Sequence, residues 1–214
     1  MISPFRTTLC LAIGLISTSL FAGEDANPSL LSVKRIFGDH EFEADYVSMR
    51  WLGDGQGYIS LDPSTDATGG RDLVRHDTRS RESTILVPAS ALIPPGSDAP
   101  LAVDDYTFSS DQARVLIFTN SQRVWRTNSR GDYWVLDRSS HELHKLGGDA
   151  PPASLMHAKF APDGLRAAYV RSNNIYVEDL RDHRITPLTR STSPDEINGT
   201  FRSEEHTSEL QSPA

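Results

Sequence analysis

Residues 160–180 read FAPDGLRAAYVRSNNIYVEDL, and the same phrase is written a second time upstream. There residues 108–120 read FSSDQARVLIFTN, a longer spacer follows, and DYWVLD closes the copy at Asp137. Each copy holds an aromatic, a small residue, a turn containing Asp, an apolar run, and a second apolar run that ends on Asp. Two apolar runs joined by a polar turn read as two strands and a hairpin. A phrase repeated at about blade length predicts a β-propeller, because one blade cannot bury its own faces and must stack on its neighbours. A β-sandwich would tolerate similar turns but does not need its phrase repeated.

A weaker third copy opens at Trp51 with WLGDGQGYISL and closes with DLVRHD at Asp77. The anchors Trp51, Phe108 and Phe160 lie 57 and 52 residues apart, so these blades carry modest insertions over the usual length of about 40–50 residues. Val47, Met49 and Trp51 alternate onto one strand face, as do Ile175 and Val177. The run VLIF at 115–118 suits an inner strand covered on both faces. Gly53, Gly55 and Gly57 punctuate one hairpin, and Pro162, Asp163 and Gly164 form another. Sustained helical periodicity is confined to the first residues. The expected fold is therefore all-β: a partial propeller of about three blades.

The chain has 214 residues, 37% hydrophobic and 23% charged, an ordinary globular balance. Its opening differs. Arg6 is followed by LCLAIGLISTSLFA and then by Glu24 and Asp25, the pattern of a secretory signal peptide over residues 1–23. The apolar stretch is short for a membrane span. A secreted or periplasmic protein is expected. Cys10 is the only cysteine and falls within that segment, so no disulfide is expected in the mature chain. The net charge of -8, without a basic patch interleaved with aromatics, argues against nucleic acid as a partner.

Longer segments resemble the N-terminal propeller region of dipeptidyl peptidase IV-type serine peptidases, of the prolyl oligopeptidase clan. VKRIFGDHEF (33–42) is similar to the start of that domain, and YVSMRWLGDGQGYISL (46–61) to its first blade. DYTFSSDQARVLIFTNSQRVWRTNSRGDYWVLD (105–137) resembles the next. FAPDGLRAAYVRSNNIYVEDL with RITPLT and INGTF resembles the one after. The order, with VWR between two strands, is the specific part.

The resemblance implies an eight-bladed propeller followed by an α/β-hydrolase that removes N-terminal dipeptides, with the propeller capping the active site. It implies a homodimer for the full-length protein. It also places Arg126, within RVWRTNS, on the family's substrate-contacting arginine. A guanidinium at a hairpin tip offers a planar fork of donors suited to a peptide carbonyl or carboxylate. The bland alternative is a solvated loop arginine near Arg123 and Arg130.

Other family features are missing from the sequence. The family's glutamate pair follows a stretch like INGTF, but here RSEEHTSELQSPA follows, and Glu204 and Glu205 lie too close to serve. Residues 202–214 read as a disordered tail, the translation of a sequencing adapter, so the expectation is a gene cut short in its assembly. No G-x-S-x-G elbow occurs. No catalytic residue, cofactor or metal is therefore assigned.

His141 and His144 have a spacing that could suggest metal ligands, but they read better as turn histidines. Asp104 and Asp105 read as an Asx-type turn rather than an acid/base pair. Asn198-Gly199-Thr200 is a glycosylation acceptor pattern.

The expected organisation is a signal peptide (1–23), a linker (24–32), a partial propeller (33–201) and the tail (202–214). The expected function is the substrate-gating propeller of a dipeptidyl peptidase, with a peptide as substrate partner and the missing hydrolase domain as structural partner. The alternatives are a non-catalytic periplasmic binding or scaffold propeller, or another branch of the same clan. The VWR insertion argues against that branch.

Overall fold

The computed structural model describes residues 30–43, 48–124, 126–193 and 195–200. The expected signal peptide, most of the linker and the tail lie outside these residues, as do Val47 and Trp125. The chain divides into two units, Met1–Tyr46 and Val47–Ala214. In the first, Lys34–Gly38 make one π-helical turn. Arg35 places its fork on Glu41 at 2.6 and 2.5 Å, and Lys34 reaches Asp39.

The second unit holds three four-stranded antiparallel blades of a β-propeller. Blade I is β1 (Met49–Trp51), β2 (Gly57–Pro63), β3 (Arg71–Asp77) and β4 (Ser83–Val87), hydrogen-bonded in chain order. Blade II is β5 (Asp105–Phe108), β6 (Arg114–Val124), β7 (Thr127–Asp137) and β8 (Leu143–Lys145). Blade III is β9 (Leu155–Phe160), β10 (Arg166–Arg171), β11 (Asn174–Asp179) and β12 (Ile185–Pro187). The anchors Trp51, Phe108 and Phe160 each end the first strand of a blade. Among the described residues, helical structure is limited to two short turns, the second being Ala89–Leu92 between blades I and II.

The repeated turn chemistry is visible atom by atom. Asp54, Asp111 and Asp163 each accept the backbone N–H two residues on, from Gln56, Ala113 and Leu165, at 2.9–3.0 Å. The residue after each Asp is left-handed: Gly55 at φ 68°, Gln112 at 58° and Gly164 at 68°. Glycine takes that conformation without a Cβ penalty, and Gln112 takes it at a cost. A second turn follows the closing Asp of each copy. Asp77, Asp137 and Asp179 pair back to Glu82, Glu142 and Arg184, with Arg81, His141 and His183 left-handed.

Blade II is sandwiched, as the VLIF run predicts. Val115 and Ile117 face one core with Ile59, Leu61, Leu73 and Leu136. Leu116, between them, faces a second core with Tyr133, Val135, Leu155 and Tyr169. Period-2 alternation sends neighbouring residues to opposite faces, so β6 and β7 supply both inter-blade layers. Each such side chain contributes about 1.5–3 kcal/mol through burial. Met49 and Trp51 of β1 and Ile85 of β4 are exposed on blade I.

Blades II and III are also one sheet. Strand β7 serves two partners along one edge: β8 pairs with Trp134–Leu136, and β9 pairs with Arg130 and Gly131. Gly131 has no side chain at a point where a Cβ would sit 2.4 Å from the Phe118 ring, so the close approach of that ring requires glycine.

Candidate functional site

The β6–β7 hairpin is the feature that departs from the repeat. Its strands have 11 residues each, against six each for β10 and β11. The five extra residues per strand extend the hairpin by about 17 Å at the usual rise. The β10–β11 hairpin closes in two residues, Ser172 and Asn173, both left-handed, whereas β6–β7 closes beyond the Val124–Thr127 pair. Arg126 lies in that tip and is exposed.

The arm is tied down at its foot. Asn120 takes φ 50° where the β6–β7 register shifts, and its Nδ2 donates to Asp132 Oδ2 at 2.9 Å. Asp132 is buried and also accepts from the Ala153 N–H and from Lys145 Nζ, both at 3.0 Å. Burial pushes the Asp132 carboxyl up, but the bonds from Asn120, Lys145 and Ala153 outweigh it and hold the group below its ordinary value. Asp104 Oδ2 accepts the Ser121 N–H at 3.1 Å on the other side of the arm.

A cavity of about 240 Å³ opens beside the arm, lined among others by Asp105, Tyr106, Phe118, Asn128, Tyr133 and His157. Burial pushes the Tyr133 hydroxyl up to about 12, against hydrogen bonds at Ala158 and His157 that pull it down. It therefore stays protonated through the physiological range. Arg126 is not among the residues lining this cavity.

Asp104 and Asp105 do not form an acid/base pair. Asp105 begins β5, accepts its neighbour's Tyr106 N–H at 2.8 Å, and pairs with Arg50 of blade I at 2.7 Å. Arg50 also donates to the Tyr106 carbonyl and lies 4.8 Å from the centre of the Tyr106 ring.

Strand register brings together a serine, a histidine and an aspartate. His76 Nε2 lies 2.7 Å from Ser60 Oγ and 3.4 Å from Asp62 Oδ2, and His76 Nδ1 lies 2.9 Å from Ser83 Oγ. A pair of backbone donors converging where the substrate carbonyl becomes an oxyanion is a usual stabiliser of acyl transfer. Successive N–H groups of an extended strand point in opposite directions, so neither β2 nor β4 offers such a pair. Ser60 is buried and donates to Asp62 at 2.7 Å. The cluster satisfies the buried Ser60 hydroxyl.

His141 and His144 part company in the structure. His141 is the left-handed residue of the β7–β8 turn. His144, on β8, reaches across to blade III, where its Nε2 lies 2.6 Å from Oε1 of the fully buried Glu178. Glu178 Oε2 accepts from the Gly147 N–H at 2.9 Å and the Tyr169 hydroxyl at 3.2 Å. The His183 ring stacks on that of His144, centres 3.8 Å apart. His141 stands in a turn, as the sequence reading has it, whereas His144 lies on a strand because its partner Glu178 is a blade away.

Residues 109–205 match the family described as "Dipeptidyl peptidase IV (DPP IV) N-terminal region". Dipeptidyl aminopeptidase B of Saccharomyces cerevisiae is 29% identical over 141 residues, 65% of this chain and 16% of that protein. A probable dipeptidyl-aminopeptidase B of Aspergillus clavatus is 26% identical over 143 residues, covering 64% of this chain and 14% of that protein. The chain thus spans about a sixth of the length of the curated relatives it matches. The crystal structure of Porphyromonas gingivalis dipeptidyl peptidase 4 superposes with a TM-score of 0.60 at 21% identity, over 75% of this chain and 22% of that one. That likeness establishes the propeller fold.

Proposed function

We propose that this chain, which carries a dipeptidyl peptidase IV-like N-terminal region, is the substrate-holding propeller of a serine-type dipeptidyl peptidase. The observation that carries the reading is the lengthened β6–β7 arm with Arg126 at its tip, present in blade II and lacking in blade III. A long, well-anchored hairpin sets a guanidinium at a distance from the blade body, where its donor fork can meet a peptide carbonyl or terminal carboxylate. The foot at Asp132 and Asn120 limits the arm's freedom, which reduces the ordering cost of binding.

The chemistry of bond cleavage lies elsewhere in this reading, since the 214 residues contain no G-x-S-x-G elbow. The chain alone therefore binds but does not cleave. Secretion and a homodimeric full-length protein belong to the same proposal.

The test is steady-state release of dipeptide from an Ala-Pro or Gly-Pro chromogenic substrate. The 214-residue chain should give none. The whole protein expressed from its gene should give release that Arg126→Ala lowers by about tenfold or more in kcat/KM, with Arg126→Lys intermediate. Circular dichroism of each variant confirms folding. Release unchanged in folded Arg126→Ala would overturn the assignment of Arg126. Peptide binding by a whole protein that never cleaves would favour a binding propeller instead.

A further inference from the structure

We propose that His144, Glu178 and His183 form a binding site for a divalent transition-metal ion at the joint between blades II and III. The three side chains bring ligand atoms within 4.8 Å of one another. They come from separate elements: His144 from β8, Glu178 from β11, and His183 from the turn that follows β11. Two imidazoles and one carboxylate are a donor set suited to zinc, cobalt or nickel, and unsuited to magnesium or calcium, which prefer all-oxygen shells.

The surroundings have the features of a prepared site. Glu178 is completely buried, and a buried carboxylate needs a cation or several donors. Its far oxygen is held by the Gly147 N–H and the Tyr169 hydroxyl. Held in this way, Glu178 presents Oε1 toward His144 and His183, which is how outer hydrogen bonds orient a metal's ligands.

The two imidazole rings stack, with centres 3.8 Å apart, so both lie at the same spot beside the buried carboxylate. The side chains of His144 and His183 are 25% and 38% exposed, which leaves a route from solvent to the buried carboxylate.

The remaining adjustment is small. Ligands about 2.1 Å from a tetrahedral metal lie about 3.4 Å apart. The ligand atoms, within 4.8 Å of one another, would have to draw together, and the proton shared by His144 Nε2 and Glu178 Oε1 leaves as the metal enters. Glu142 Oε1 lies 3.6 Å from His183 Nε2, and water would complete the metal's shell. A bound ion would clip the outer strand of blade II to blade III and stabilise the pair by mass action.

Cobalt chloride titrated into the tag-free, chelator-treated chain is the probe, read by visible d–d absorption and competition with zinc chloride. One cobalt ion per chain should bind and be displaced by zinc. His183→Asn, which keeps a residue tolerant of the left-handed backbone, and His144→Gln should each weaken uptake more than about tenfold. Tyr169→Phe, which frees Glu178 Oε2, should weaken it by a smaller factor. His141→Asn should leave it unchanged. Cobalt uptake that is absent from the wild-type chain, or equal in folded His183→Asn and His144→Gln, overturns the proposal.

Discussion

The Asp132 carboxylate accepts the backbone N–H of Ala153 at 3.0 Å, tying a buried position of β7 to the linker that leads into blade III. Blade I repeats the bond: Asp72 Oδ1 accepts the Ala89 N–H at 2.7 Å. Blade III repeats it with an amide, as Asn174 Oδ1 accepts the Ser191 N–H at 2.8 Å. The residue that opens DLVRHD, DYWVLD and NIYVED is thus a staple between a strand and the exit from its own blade.

Asp132→Ala removes the acceptor for three donors and leaves the Ala153 N–H buried without a partner. Such orphaned groups cost about 1–3 kcal/mol. Asp132→Asn keeps an oxygen for Ala153 but loses the charge facing Lys145, so it should cost less. Urea denaturation should rank the proteins wild type, Asp132→Asn, Asp132→Ala in falling stability. Equal midpoints for wild type and Asp132→Ala would remove the staple.

The same carboxylate makes stability depend on acid. Its folded value is depressed, so between the folded and unfolded values the unfolded chain binds the extra proton, and stability there rises with pH. The contribution is present above the unfolded carboxyl value of about 3.9 and is lost as pH falls through the folded one. Asp137 acts in the same direction: burial raises it, and bonds from Ser139 and Ser140, with Arg114 nearby, bring it below its usual value. Asp132→Asn should therefore flatten the loss of stability below about pH 4, measured as denaturation midpoints across an acid series.

How far the sequence discloses this molecule depends on how local each determinant is. The Asp-Gly turns, the anchors Trp51, Phe108 and Phe160, and the doubly covered VLIF run are set by neighbours within a few residues, and all stand where the pattern places them. The staples at Asp72, Asp132 and Asn174 escape notice because their partner N–H groups lie 17–21 residues away in irregular linkers. His144 and Glu178 are 34 residues apart on different blades, and only the packing of β8 against β11 makes them neighbours. The division of β7 between β8 and β9 has the same cause: a long strand exposes more edge than one partner covers.

Two glycines separate backbone strain from crowding. Gly55 and Gly164 share φ 68°, but a Cβ at Gly55 meets nothing within 4 Å, while one at Gly164 lies 3.2 Å from Ser109 Cβ. Gly55→Ala should cost about 1 kcal/mol, the left-handed penalty alone. Gly164→Ala should cost more, because the Ser109 backbone must also yield. Thermal unfolding of the two variants gives the difference directly, and Gly55→Ala as costly as Gly164→Ala would contradict it.

Arg50 joins blades I and II through three contacts: the Asp105 carboxylate, the Tyr106 carbonyl and the Tyr106 ring. The ion pair is half exposed on both sides, where water and salt leave such pairs worth about 0.2–1 kcal/mol. The carbonyl bond and the ring contact survive removal of Asp105 but not removal of Arg50. Arg50→Ala should accordingly destabilise the chain more than Asp105→Ala. A double-mutant cycle should return a coupling below about 1 kcal/mol that shrinks as salt is added. Equal single-mutant losses would mean that the ion pair alone carries the joint, and that the cation's position over Tyr106 contributes nothing.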